Sequence, residues 1–270
     1  MPPIRNRFYF NDGLNVRAYD LRAWQDAERF EDHLPFYVDA AVDSGGPVLE
    51  LGCGTGRLTL AMAKAGVVAV GLELSSFMLA RAMEKCEGVS DEVRSRLEFL
   101  AGDMADFQLG RKFALVTIPF RGFQELLTTH DQRSALRCIH DHLAPDGRLV
   151  LDLLDPRLED VLVPEDREPV SLPPLNLGET VLHTTVLDRH NNPLTQVLTE
   201  VWRFTEKDRS GRVVREEEEI HSLRWTWRSE MRYLLELTGF AVTAEYSDFH
   251  GTPPSPGHQQ VWVIHKRTPG

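Results

Sequence analysis

The sequence predicts an α/β fold: a doubly wound, mostly parallel seven-stranded sheet with an N-terminal helical lid and an antiparallel β insertion. Three observations carry that expectation. Between residues 47 and 155, short apolar runs alternate with amphipathic helical stretches, the signature of a parallel sheet with crossover helices. A glycine-rich turn joins the first run to the first of these helices. From residue 180 the pattern changes to long strand-like runs separated by turn residues.

Taken in order, residues 1–46 read as the helical lid. Leu34, Tyr37, Val38 and Ala41 form an i, i+3, i+4, i+7 stripe, with Pro35 near the helix start, and Ser44-Gly45-Gly46-Pro47 breaks it. Residues 47–155 read as the core. Pro47–Leu51 is a buried strand, 56–65 a helix with Leu58, Met62 and Ala65 on one side, and Val67–Leu72 a second strand. Ser75 or Ser76 caps a helix whose apolar face is Leu79, Ala82, Met83 and Cys86. Leu97–Leu100 and Phe113–Ile118 are strands. Thr129 with Gln132 resembles a capping box ahead of Leu136, Ile139 and Leu143. Pro145-Asp146-Gly147 is a turn, and Arg148–Leu154 a fifth strand.

Residues 156–228 read as the insertion. Pro156, Pro164, Pro169, Pro173 and Pro174 make 156–179 an irregular connector. Strand-like runs follow at 180–188, 196–205 and 212–227, split by Asn191-Asn192-Pro193 and Asp208-Arg209-Ser210-Gly211. Residues 229–270 complete the core with a helix, Glu230–Leu237, ending at Gly239, and a strand pair at Phe240–Tyr246 and Gln260–His265.

Composition narrows the function. A net charge of −11 argues against gripping a nucleic-acid backbone, which needs a basic surface. No apolar run approaches the roughly 18 residues of a membrane span, and the basic N-terminus lacks a secretory apolar stretch, so a cytoplasmic protein without a membrane partner is expected. Cys53, Cys86 and Cys138 contain no C-x-x-C pair, and His140 and His142 point to different helix faces, so no metal site is expected.

The chemistry sits in Glu50-Leu51-Gly52-Cys53-Gly54-Thr55-Gly56, between the first strand and helix. Glycines there let a ligand approach the backbone. A dinucleotide loop would read G-x-G-x-x-G and cradle a pyrophosphate; here the third glycine comes one residue early. Glu50 is a poor neighbour for phosphate and a good one for a cation. S-adenosylmethionine (SAM) carries a sulfonium and an ammonium group and no phosphate. Glu73 ends the second strand, 23 residues beyond Glu50, within range of a ribose. Asp103, in Gly102-Asp103-Met104-Ala105 beyond the third strand, suits an adenine amino group.

These residues resemble the class I SAM-dependent methyltransferases, whose Rossmann-like fold the alternation above matches. Val48–Arg57 closely matches the superfamily's first motif, and Ala144–Leu149 its turn before the fifth strand. The resemblance implies SAM as cofactor, with Gly52, Gly54 and Gly56 against its methionine part and Glu50 ordering that end. It implies Glu73 on the ribose, Asp103 and Met104 at the adenine, further contacts from Arg57, Leu74 and Ile118, and Tyr19 closing over SAM. Ile118-Pro119-Phe120-Arg121-Gly122-Phe123-Gln124 and the β insertion resemble a bacterial small-molecule subgroup that includes amino-sugar N-methyltransferases. The strand end Ile-Pro-Phe-Arg departs from the Asp/Asn-Pro-Pro-aromatic motif of DNA N-methyltransferases.

The implied reaction is in-line methyl transfer to an N, O or C nucleophile of a small-molecule acceptor, driven by proximity and exclusion of water. Phe8, Tyr9, Phe10, Tyr19 and Trp24 either close the site or pin the lid to the core. His221, Leu223, Trp225 and Trp227 fall on one face by the period-two rule and either wall an acceptor or pack against a domain or a second subunit, which makes the insertion a candidate homodimer contact. His221 and His183 are the candidate bases. Arg121 and Trp225 are the candidate acceptor contacts, and Glu216–Glu219 reads as a solvated edge. The competing readings are a non-methylating SAM enzyme, a non-catalytic SAM-binding module, and an NAD-dependent oxidoreductase, which Glu50 and the glycine spacing disfavour.

Overall fold

The computed structural model describes residues 8–25, 33–157 and 168–267. The extreme N-terminus, residues 158–167 of the connector with Pro164, and the Trp24 side chain lie outside what it describes.

β1 (Val48–Leu51) is buried at every position, as befits the middle of a sheet covered on both faces. It pairs in parallel with β2 (Ala69–Glu73) on one side and β4 (Phe113–Ile118) on the other. β3 (Leu97–Ala101) extends the sheet beyond β2, and β5 (Leu143–Leu154) beyond β4, both in parallel. β12 (Gln259–Lys266) joins β5 antiparallel, and β11 (Phe240–Tyr246) forms the edge. The seven-stranded order is β3-β2-β1-β4-β5-β12-β11. It reverses between β1 and β4, where doubly wound sheets open a crevice.

Among the described residues the α-helices are α1 (Leu14–Arg17), α2 (Tyr19–Gln25), α3 (His33–Ser44), α4 (Arg57–Lys64), α5 (Ser76–Lys85), α6 (Asp91–Arg94), α7 (Thr129–His142) and α8 (Arg228–Leu237). Alternation along β1 divides the core. Leu49 and Leu51 face Leu136 and Ile139 of α7 and Leu235 of α8. Val48 faces Tyr37 and Ala41 of α3 and Met62 of α4.

Two local expectations shift. The α7 cap is Thr128, not Thr129: its hydroxyl accepts the Asp131 N–H at 3.1 Å and donates to the Asp131 carboxylate at 2.7 Å. Pro145-Asp146-Gly147 bends within β5, whose pairing jumps from Phe113↔Leu143 to Leu115↔Arg148.

The second sheet is antiparallel. β8 (Thr180–Asn192), β9 (Val197–Asp208) and β10 (Val213–Arg224) form a meander, with the short β6 (Val170–Ser171) and β7 (Leu175–Asn176) both paired to β8. Phe8, Leu14 and Ala18 pack on its Leu175, Leu182 and Phe204. The acidic run on β10 is not uniformly solvated. Glu216 and Glu218 are exposed, whereas Glu217 and Glu219 turn inward. Glu217 accepts the Leu14 N–H at 2.6 Å and Glu219 accepts from Asn15 at 3.3 Å. Gly13 has no side chain to cap α1, and Glu217 substitutes for it. β10 ends at Arg224 because its guanidinium is buried and bound to Gln132, Gln196 and Glu230. The period-two face therefore stops before Trp225, and Trp227 caps α8. No helix among the described residues is long and apolar enough to cross a membrane.

Candidate active site

A cavity opens at the carboxyl ends of β1–β4, with about 1110 Å³ of space counting its open mouth. Its floor is the glycine turn after β1. Gly52 and Gly54 adopt φ 67° and 55° and line the cavity. A Cβ on Gly52 would stand 3.1 Å from Met104 Cε, and one on Gly54 3.4 Å from Met78 Cε, so side chains there would fill the cradle. Gly56 does something else: at φ 71°, its missing Cβ would lie 2.7 Å from the Phe99 ring and 3.0 Å from Ala82. It packs the start of α4 onto β3 and α5 and does not border the cavity.

The amides of this turn are spent internally. Gly52 and Cys53 donate to Leu72 O at 2.8 and 3.1 Å, Gly56 donates to Cys53 O at 2.9 Å, and Gly54 donates to Glu73 Oε2 at 2.8 Å. A pyrophosphate-binding loop would present such groups to its ligand. This one faces its ligand with a carboxylate. Glu73 Oε1 also accepts the Ser75 N–H at 2.8 Å, yet burial still pushes its pKa up.

Glu50 departs from expectation. It is 3 % exposed, lies on the α3–α4 face of β1, hydrogen-bonds to Thr59, and does not border the cavity. Burial raises its pKa to about 8. Around neutral pH it is largely a neutral acid, and the negative charge bordering the cavity belongs to Glu73, Asp103, Glu125 and Asp131. Among the described residues lining the cavity there is no Lys, Arg or His.

Asp103, Met104 and Leu74 line the cavity, and Asp103 Oδ1 accepts the Ala105 N–H at 2.9 Å, which orients its carboxylate. Tyr19 closes the glycine side, with its hydroxyl 3.9 Å from where a Gly54 Cβ would sit. Tyr9 meets it edge-on at 5.6 Å, and Phe10 lines the cavity beside them. Burial raises Tyr19 to about 12, so it stays a neutral hydrogen-bonding wall. Phe8 turns the other way, onto Trp202, Phe204 and His221.

Several candidates fall elsewhere. Ile118 is wholly buried beneath the site, and Arg57 lies over the Phe120 ring at 5.1 Å. Arg121 faces away: its Nη2 donates to the Gln259 side-chain oxygen at 3.2 Å. Trp225 is buried, donates to Asn191 at 2.9 Å and packs on Trp227, so it is a packing residue. His183 is exposed on β8, because neighbouring Leu182 takes the buried face. His221 does not line the cavity but reaches it through Glu125: its Nε2 lies 3.0 Å from Glu125 Oε1. Burial disfavours its imidazolium, but Glu125 and Glu200 outweigh that and raise its pKa. Glu125 and Asp131 were not anticipated. Both follow β4, and the rule that ligands bind at strand carboxyl ends points to that segment.

Residues 48–147 match the family model of the methyltransferase domain. A putative methyltransferase of Geobacillus sp. is 27% identical over 96% of this chain and 97% of its own length. The dTDP-3-amino-3,4,6-trideoxy-alpha-D-glucopyranose N,N-dimethyltransferase of Streptomyces venezuelae is 33% identical over 105 residues, 39% of this chain and 41% of that protein. Among solved structures, SAM-bound CalS10, an amino pentose methyltransferase from Micromonospora echinaspora, superposes with a TM-score of 0.69 over 95% of this chain and 99% of that one, at 22% identity, and so shares its fold. With its strand order, its cradle and this matching domain, residues 48–147 form a methyltransferase domain, and the chain is similar over nearly its whole length to Rossmann-like SAM-dependent methyltransferases.

Proposed function

We propose that the chain transfers the SAM methyl group to an amine nitrogen of a small molecule. The observation that carries this reading is the charge of the cavity: among the described residues, four carboxylates and no cationic side chain line it. Such a lining attracts a sulfonium and an ammonium ion and disfavours a negative charge at the reacting end of an acceptor. The amino-sugar relatives point the same way.

In this reading Glu73 accepts from the ribose hydroxyls, Asp103 and Met104 meet the adenine, and the backbone of Gly52 and Gly54 admits the methionine part. When bound there, SAM would supply an activated methyl carbon for in-line transfer to an acceptor nitrogen, with the C–S electron pair remaining on sulfur. The protein's share is to hold the nitrogen in a near-attack position and exclude water, a task for Tyr9, Tyr19 and Phe120. An ammonium acceptor must first lose a proton. Glu125 borders the cavity and His221 stands behind it on β10, stacked on Phe8 at 4.5 Å, so this pair takes that proton. Exposed Val213, Val214 and Ile220 on the edge strand β10 support the insertion as a subunit contact, which light scattering checks.

The test is an acceptor panel read by S-adenosylhomocysteine release and product mass. dTDP-3-amino-3,6-dideoxyglucose and its 3-hydroxy counterpart form the matched pair. Methylation of the amine alone supports the reading; faster turnover of the hydroxyl compound overturns it. Glu125→Gln then lowers kcat/KM most at the acid end of the pH profile, where the acceptor carries its extra proton.

A further inference from the structure

After β4 the chain enters the left-handed region at two consecutive residues that are not glycine, Phe120 (φ 57°) and Arg121 (φ 63°). A Cβ disfavours that region, so neighbours must hold both residues in it. The holder is Asp152 on β5, 1 % exposed. Its Oδ1 accepts the Phe120 N–H at 2.8 Å, and its Oδ2 accepts the Arg121 N–H at 3.2 Å. Two successive amides turned onto one carboxylate form a concave anion seat. The Tyr37 hydroxyl on α3 donates to Oδ1 at 2.7 Å, so Asp152 is itself tied down.

The residue so placed walls the cavity. The Phe120 ring is also clamped by Arg57, the first residue of α4, and by His33, edge-on at 4.8 Å. A glycine pair would make the same turn without strain and without a buried carboxylate, which is costly to desolvate. That expense is understandable where a particular side chain must stand at a particular place.

We propose that Asp152 is a positioning residue for methyl transfer, locking the Pro119–Phe120 wall so that it fixes the acceptor's approach to the methyl carbon. The inference rests on the amine-methylation reading above. Misplacing reactants by about 1 Å is enough to cost on the order of 100-fold in rate.

Asp152→Asn keeps the size but turns one acceptor into a donor facing an N–H. With dTDP-3-amino-3,6-dideoxyglucose as the probe, kcat should fall roughly 30- to 100-fold while calorimetric SAM affinity and acceptor KM stay within about threefold. Adding Arg121→Gly, which relieves the left-handed strain, should restore about tenfold of that loss. An unchanged kcat, or a double variant no faster than the single, overturns the inference. Should Asp152→Asn fail to fold, Tyr37→Phe carries the same test: kcat down about tenfold with SAM affinity held supports it, and an unchanged kcat overturns it. A wild type that methylates no amine defeats the functional reading alone. Thermal melts then decide the clamp. Arg121→Gly must raise the midpoint in the Asp152→Asn background and not in the wild type, and equal shifts in both overturn it.

Discussion

A carboxyl group titrating at about 8, as Glu50 does, keeps a proton that the unfolded chain releases near its ordinary value of 4.5. Between those two values the folded state binds more protons than the unfolded state, so stability falls as pH rises through that window. The loss is on the order of 3–5 kcal/mol across the whole window. Glu50→Gln removes the titration, and its melting temperature should overtake that of the wild type as pH passes through the window; parallel pH profiles would refute the buried neutral acid. A bound cation favours the ionised form. SAM affinity in the wild type should therefore strengthen as pH approaches and passes 8, and calorimetry on Glu50→Gln should find a shallower pH dependence, with Glu73 in the cavity supplying what remains. Glu73 answers to a different measurement. Glu73→Ala removes the acceptor of the Gly54 and Ser75 amides together with the proposed ribose contact. It should weaken SAM binding by about 1.5–3 kcal/mol, the scale of hydrogen bonds to a charged group. An unchanged dissociation constant would remove Glu73 from the ribose.

At the scale of elements, glycines with the same backbone angle carry different burdens. Gly45 and Gly56 both sit at φ 71°, but a Cβ on Gly45 meets nothing within 4 Å, whereas one on Gly56 stands 2.7 Å from Phe99. Gly45→Ala should cost only the left-handed backbone energy, about 1 kcal/mol, and Gly56→Ala about 2–4 kcal/mol, since it adds overpacking between α4, α5 and β3. Urea midpoints compare the two, and equal losses would mean that the turn relaxes freely. The elements themselves were largely legible. Phe113–Ile118 lies where its apolar pattern puts it, because a buried strand needs a nearly continuous apolar run, and Phe240–Tyr246, half-buried at the sheet edge, follows the helix end at Gly239 as expected. Errors gather where a partner distant in sequence decides. β10 stops at Arg224, not Trp227, because Gln132 and Glu230 bind its guanidinium, and the charge run on β10 splits by face because α1 needs a cap.

Over the whole molecule, the N-terminal segment is held between two sheets. Phe8 packs on Phe204 and Trp202 of the antiparallel second sheet, while Tyr9 and Tyr19 line the cavity of the main sheet. Phe204 is fully buried in that small cluster. Phe204→Ala should cost about 3–5 kcal/mol locally. It should also speed hydrogen exchange in residues 8–25 and lower kcat/KM through the loosened Tyr9–Tyr19 wall. Faster exchange confined to β8–β10 would mean that the segment is anchored elsewhere.

The proposed cofactor end of the site is written in local sequence: Glu73, Asp103 and the glycines each stand at a strand end, and strand ends converge in any doubly wound sheet. Alternation along β1 also fixed the face on which Glu50 lies, although its burial and raised pKa depend on what α3 and α4 place over it. The proposed acceptor end was decided only by tertiary structure. Glu125 and His221 are separated by 96 positions and meet because β10 folds back over the turn after β4. Asp152 holds Phe120 from 32 positions away. Local periodicity encodes which way a side chain points along its own element, but which distant side chain it meets is set by how the elements pack.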